Sequence, residues 1–455
     1  MSTHEPSRNP PEPTGPSGAS TRTRAFLREI PALLAITYAF FLSISFMGGG
    51  MKASFKEPLK HFLADHAADF TELVSFVIGI IGTSVVQSSS TVTSMAVVLA
   101  ADGIVPMVIA IGIVHGANLG TSVTSSLVAF AAETRPMTGN VLTDLKNLLF
   151  APRLPGFHRA VSTAVVHGMF NAILVTFIIL VLEMPFGLIH KGADAIASLV
   201  DESVSQSASV VEALEVITPG AWTKPVTSFA LDNGLPGWAL VLVGFVLLFV
   251  CLKLFSSRMR NVLLAGTDPD DVQAMGRTLL GTRPLDTFAR GLILTMLVQS
   301  SSATTSLVVP LAGMGFFSVR QIFPFIMGAN IGTTVTALMA ATAGFGTEGF
   351  HAGMTIALCH FLLNTVAVVM VAVVPGLYTS VLGCTEFLAD LSVRMPAALI
   401  GYLAALSVLL PLAVYLLPTA LAAGLLGVIL LVMLVGPHFY LRRKAERGDQ
   451  VSLAV

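Results

Sequence analysis

The residues best suited to chemistry in this chain come as a doubled set. Gln87-Ser88-Ser89-Ser90 returns 212 residues later as Gln299-Ser300-Ser301-Ser302. At the same offset, Gly116-Ala117-Asn118-Leu119-Gly120-Thr121 returns as Gly328-Ala329-Asn330-Ile331-Gly332-Thr333. Between 87–124 and 299–336 the same residue stands at 17 of 38 positions. Both copies lie in strongly apolar surroundings. Polar groups in an apolar sheath are expensive, so a duplicated cluster asks for a functional reason.

Helix ends suggest what that chemistry is. The first N–H groups of a helix have no intrahelical partner, and the end carries partial positive charge. If a helix begins near Ser89 and another near Ser301, free N–H groups and serine hydroxyls together form an anion site. Two such tips meeting at mid-depth would surround a tetrahedral oxyanion. Half-helices ending near Asn118 and Asn330 would instead expose carbonyls. With the hydroxyls of Thr121, Thr333 and Thr334 these suit a hard monovalent cation. No lysine or arginine stands at either tip or break. The nearest, Arg320, is ten residues before Asn330, about 15 Å along a helix, and is expected at the membrane surface. An anion without a basic partner needs co-bound cations. The pattern therefore favours cation-coupled transport over a simple anion channel.

The elements that must position these groups are membrane helices. The chain has 455 residues, 54% hydrophobic and 11% charged, with mean hydropathy +0.82. Soluble domains carry about a quarter charged residues. The composition indicates an all-α polytopic membrane protein. A net charge of −1 gives no argument for nucleic acid. Cys251, Cys359 and Cys384 lie in apolar segments and imply no disulfide framework.

In order, residues 1–24 read as a disordered tail. A first transmembrane repeat occupies 25–182, an acidic extracytoplasmic loop 183–236, and a second repeat with a preceding linker helix 237–375. Additional apolar helices follow at 386–416 and 419–440 within 376–441, then a tail at 442–455. Lys52, Lys56 and Lys60 alternate with Phe55, Leu59 and Phe62, which suggests an interfacial amphipathic helix. Around each polar tip the apolar arms hold about 14 residues, or about 21 Å, against a hydrocarbon core of about 30 Å. Neither arm spans alone, so each pair reads as a re-entrant hairpin. The Gly-Ala-Asn segments read as spans interrupted in the middle. Arginine and lysine bias places both termini and 256–290 in the cytoplasm and the 183–236 seam outside.

The repeat resumes at Phe157-His158 and Phe350-His351, then at His167 with Asn171 and His360 with Asn364. Histidine and asparagine four apart share a helix face and suit an interhelical hydrogen bond. His115 has no counterpart and reads as structural. Asp102 reads as the watery base of a hairpin, and Gly48-Gly49-Gly50 as a span end. No His-Glu-x-x-His, Gly-x-Ser-x-Gly or P-loop signature is present, so an enzyme is not expected.

Gln-Ser-Ser-Ser twice, each followed by Gly-Ala-Asn-(Leu/Ile)-Gly-Thr, resembles the type II sodium-dependent phosphate cotransporter family. The His-(x)3-Asn pairs are similar to that family too, and the resemblance covers about 72–180 and 287–375. It implies two inverted structural repeats with re-entrant hairpins and interrupted transmembrane helices. It implies sodium-coupled phosphate import, with phosphate held by Gln87, Ser88, Ser89, Ser90, Gln299, Ser300, Ser301 and Ser302. Thr333 and Thr334 resemble positions assigned to sodium, joining Asn118, Thr121 and Asn330 as sodium candidates. No cofactor beyond sodium is implied. The expected setting is a bacterial inner membrane, multi-pass. A carrier of sulfate or a dicarboxylate and an uncoupled channel or sensor are the alternatives. Three features depart from the family pattern. The regulatory helical domain of many bacterial members has no counterpart after the last span, and 183–236 lacks cysteine. Glu133-Thr134-Arg135 stands roughly where electrogenic animal members carry an aspartate.

Overall fold

The computed structural model describes residues 18–54, 57–58, 72–131, 155–205, 219–264, 280, 283–313, 315 and 317–446. Among these, every regular element is helical, and six helices are long and apolar enough to cross a membrane. Helix α1 runs Gly18–Ser54. It begins inside the stretch expected to be an unstructured tail, because nothing after Pro16 breaks a helix before the first span. Lys52 belongs to its last turn. The rest of the expected interfacial helix falls largely at 55–56 and 59–71, outside the described residues, as does Glu133-Thr134-Arg135.

The first hairpin is α2 (Glu72–Val86) and α3 (Ser89–Ala101), arms of 15 and 13 residues. At 1.5 Å per residue they reach about 20 Å, so they enter and leave on one side. The partner span is α4 (Met107–Gly120) with α5 (Ser122–Ala131). Glycine makes its packing possible. A Cβ on Gly116 would lie 1.8 Å from the Phe76 carbonyl oxygen of α2. Small residues let membrane helices approach this closely. Helix α6 (Pro155–Phe177) continues through a π-helical turn at Ile178–Glu183 to Phe186.

The acidic seam is not simply a loop. It holds α7 (Leu188–Ser205) and α8 (Pro219–Asp232). Its charge density hides an amphipathic pattern, with Ile189, Ala193 and Ala197 buried at spacing four. Helix α9 (Gly237–Leu264) then runs along α1, with Gly50 set against the Gly237 carbonyl.

The second repeat has the same parts. Its hairpin is α10 (Pro284–Val298) and α11 (Ser301–Gly313). Its partner span is α12 (Val319–Gly332) with α13 (Thr334–Thr342), followed by α14 (Phe350–Val373). Gly328 repeats the role of Gly116, 2.0 Å from the Phe288 carbonyl oxygen by the same construction. The remaining helices are α15 (Pro375–Arg394), α16 (Ala397–Leu416) and α17 (Thr419–Glu446). The single segment expected at 386–416 is split, because Met395 precedes Pro396 and turns extended, with φ −142° and ψ 92°.

Among the described residues, α1, the interrupted α4–α5 span and α6 separate the start of the first repeat from α9, three crossings if the interrupted span counts as one. An odd number inverts the second copy. Contacts agree. The α12–α13 span starts after the base of the second hairpin at Gly313. It ends where Ala340 and Ala341 face Ala101 and Asp102, the base of the first. The hairpins therefore enter from opposite ends and point at each other. Each also packs on the other repeat: α3 lies against α13 and α14, and α11 against α5 and α6.

Candidate functional site

Each hairpin reverses through the same two residues. Gln87 has φ +57° and Gln299 φ +55°, the only left-handed non-glycine residues among those described. Their N–H groups donate to the Thr83 carbonyl at 2.8 Å and the Thr295 carbonyl at 2.7 Å, closing the incoming arms. Glycine would take this conformation without penalty. Glutamine in both copies therefore points to a use for the side chain. Gln87 Nε2 donates to the Ser84 carbonyl. Gln299 Nε2 donates to Met339 Sδ at 3.0 Å. Ser88 caps the outgoing arm: its Oγ accepts from Thr91 N at 3.3 Å and Thr91 Oγ1 at 2.9 Å. The outgoing arms begin at Ser89 and Ser301, where the sequence places them. Ser89, Ser90, Ser301 and Gln299 are buried, while Gln87, Ser88, Ser300 and Ser302 are half-buried.

The tips touch. Ser90 Oγ donates to the Gln299 carbonyl at 3.1 Å and lies 3.3 Å from Thr333 Oγ1. One serine thus joins the first motif to the second motif and to a sodium candidate. Arg159 of α6 engages the second hairpin at its base, donating to the Ala312 and Gly313 carbonyls, both at 3.2 Å. There it satisfies the free carbonyls of a helix C-terminus.

The two span interruptions are slighter than the sequence suggests. Each is one residue, Thr121 or Thr333, three positions after the asparagine. Both keep right-handed dihedrals, with φ −62° and ψ −26° at Thr121 and φ −69° and ψ −20° at Thr333. The backbone slackens without unwinding. What it offers a cation is mainly hydroxyl oxygen. Thr121 Oγ1 donates to the Ala117 carbonyl at 2.9 Å and Thr334 Oγ1 to the Ile331 carbonyl at 2.7 Å. A hydroxyl that donates backwards keeps its lone pairs free.

Asn118 and Asn330 are held by side chains of the opposite repeat. His167 Nε2 donates to Asn330 Oδ1 at 2.5 Å, and Asn330 Nδ2 donates to Asn171 Oδ1 at 2.6 Å. His360 Nε2 and Asn364 Nδ2 donate to Asn118 Oδ1 at 3.3 and 3.2 Å. Asn171 Nδ2 also donates to the Asn118 carbonyl at 2.8 Å. The interhelical bond expected of the His-(x)3-Asn pairs is present, and it is crossed between repeats. Both asparagine side chains thus bridge the repeats, three positions before Thr121 and Thr333.

Some polar residues here carried no site reading in the sequence. Thr83 and Thr295 are equivalent, buried, and have no hydrogen-bond partner at Oγ1. Each sits one turn before its tip. The repeat alignment, which pairs them, was the available signal. Ser122 Oγ, beside Thr121, donates to the Leu119 carbonyl at 2.8 Å. Farther out, His158 Nε2 lies 3.0 Å from Asp390 and 3.5 Å from Glu386 of α15. Its repeat equivalent, His351, lies 3.0 Å from Asp194 and 2.5 Å from Asp201 of α7. His158, Glu386 and Asp390 could gather a metal. Lys444 already pairs with both carboxylates, at 2.7 Å from Asp390 and 3.4 Å from Glu386.

Residues 39–143 and 271–395 match the model of a protein family described as the Na+/Pi-cotransporter. Sodium-dependent phosphate transport protein 2A of Ovis aries is 31% identical, over 83% of this chain and 64% of that protein. The 2A protein of Rattus norvegicus is 30% identical, over 74% and 60%. Sodium-dependent phosphate transport protein 2B of Bos taurus is 26% identical, over 84% and 64%. The chain spans less than two thirds of the length of these relatives. No solved structure matches it.

Proposed function

This chain belongs to the Na+/Pi-cotransporter family, and from that premise we propose that it is a secondary transporter importing inorganic phosphate with sodium. Phosphate would sit between the two Gln-Ser-Ser-Ser tips. Sodium would sit among Asn118, Thr121, Asn330, Thr333 and Thr334, the crossed histidine bonds fixing the two asparagines in place. The membrane would be the plasma membrane, with both termini in the cytoplasm. The observation that carries this reading is the contact of Ser90 with Gln299 and Thr333. It sets a serine hydroxyl of the first tip against the backbone of the second tip and against a threonine hydroxyl of the second interrupted span.

Charge explains the coupling. Phosphate near pH 7 carries between one and two negative charges. An inside-negative potential opposes each by about 2.3 kcal/mol per 100 mV. Helix starts at Ser89 and Ser301 supply about half a positive charge apiece. Sodium bound alongside supplies the rest, so each ion should tighten the other's binding.

The test is uptake of radiolabelled phosphate by proteoliposomes of the purified protein. Accumulation against a gradient should require sodium and vanish when potassium or choline replaces it. Sodium-independent flux that only equilibrates phosphate would mark a channel instead. Sodium-driven uptake of sulfate or a dicarboxylate, with phosphate excluded, would mark a different oxyanion carrier.

A further inference from the structure

A cavity of about 540 Å3 opens where the far ends of α3 and α13 meet α1 and α8. Its position relative to the tips is informative. Ser90 and Thr333 touch at one end of the α3–α13 pair. Val97 and Ala340, each seven residues farther on, line the cavity. Seven residues of helix is about 10 Å. The cavity thus lies at the other end of the helix pair that carries the tip contact.

Its lining is mixed, not lipid-like. The charged residues on it are Lys52, Asp102 and Lys224. Lys52 Nζ lies 3.7 Å from the Asp102 carboxylate. Gly48 makes that pairing possible: a Cβ there would meet Asp102 Oδ2 at 2.5 Å. Helix α1 therefore lies directly on the hairpin base and carries Lys52 one turn farther beside it. Lys224, exposed on α8, stands across the same opening. Hydroxyls line the wall as well, Ser228 and Thr347 among them.

We infer that this cavity is the aqueous mouth through which an inorganic oxyanion reaches the tips, and that Lys52 and Lys224 gather the anion there. The destination rests on the proposed function above; the mouth's charge does not. A concave, low-dielectric wall focuses the field of a few charges and raises local counter-ion concentration. Lysine suits this work. Its ammonium is a hydrated point charge that attracts without a rigid fork, so the anion is gathered and released while still hydrated. Asp102 keeps Lys52 at the rim and offsets one of the two positive charges, which leaves the lining with an excess of one.

The experiment uses the full chain in proteoliposomes, with Cys251, Cys359 and Cys384 replaced by alanine and Ser228→Cys added. The introduced thiol is reacted with an anionic and a cationic methanethiosulfonate of similar size. The anionic reagent should gain over the cationic one by about fivefold relative to the same protein carrying Lys52→Gln and Lys224→Gln, and the gain should shrink at high salt. Separately, Lys224→Glu should raise the phosphate KM by about fivefold at low ionic strength and less at high. A thiol unreactive to both reagents in protein that still takes up phosphate would overturn the mouth. So would a reagent preference that ignores the lysines. Unsubstituted protein that takes up no phosphate, together with an anionic preference of the Ser228→Cys thiol that follows the lysines, would overturn the proposed function and leave the anion-gathering cavity standing.

Discussion

Ser90 Oγ donates to the main-chain oxygen of Gln299 at 3.1 Å, across 209 residues of sequence. The acceptor is the carbonyl of a residue in left-handed conformation, so the bond depends on the hairpin reversal. One hairpin therefore senses the backbone geometry of the other. A side chain too large for this contact should part the two tips.

Ser89→Leu and Ser301→Leu place a bulky apolar group at buried starts of the outgoing arms. Uptake should fall at least about a hundredfold, an effect on the scale of losing preorganised donors. Each variant should still elute as folded protein on size exclusion in detergent. Wild-type uptake by either would remove the tips from the transport mechanism.

Gln87→Gly and Gln299→Gly separate strain from function. Left-handed backbone costs a non-glycine residue about 1–2 kcal/mol. Thermal stability of the glycine variants should be unchanged or higher, while uptake collapses with the side-chain amide. Glycine variants that transport normally would reduce these glutamines to helix terminators.

The crossed pairs predict a pattern of coupling. A double-mutant cycle on His167→Ala with Asn330→Ala should give an interaction energy of about 0.6–1.7 kcal/mol, the range for polar pairs between membrane helices. The cycle pairing His167→Ala with Asn118→Ala should come closer to additivity, since no direct bond joins those side chains. Reversible unfolding in mixed micelles measures both. Equal coupling in the two cycles would contradict the crossed arrangement.

Thr333→Val removes a hydroxyl that lies 3.3 Å from Ser90 Oγ. Apparent phosphate affinity should drop about tenfold at low sodium and recover in part at high sodium, because the two ligands are linked. Phosphate binding that is identical with and without sodium in the unsubstituted protein would refute the coupling.

Much of this was legible in the sequence because it is local. Arms of 15 and 13 residues are too short to span whatever surrounds them. The doubled offset gives the two halves. Longer-range features left no local trace. His167 meets Asn330 at a separation of 163 residues, and His360 meets Asn118 at 242. Read alone, Asn118 and Asn330 give no sign of these partners, which lie in the other repeat. The acidic seam read as loop for a similar reason. Asp194 and Asp201 look solvated until His351, from another repeat, is placed against them.

The asparagine network is matched in its histidines and unmatched in its amides. Asn330 Nδ2 reaches Asn171, but its counterpart Asn118 Nδ2 turns back to the Val114 carbonyl at 3.3 Å. Asn364 Oδ1, the acceptor it would have used, is buried with no partner. A buried orphan of this kind costs about 1–3 kcal/mol. The link equivalent to Asn330–Asn171 would run from Asn118 Nδ2 to Asn364 Oδ1, and it is the one not made. Two halves alike in helix and turn thus differ at one amide link, and Asn364 Oδ1 marks the place.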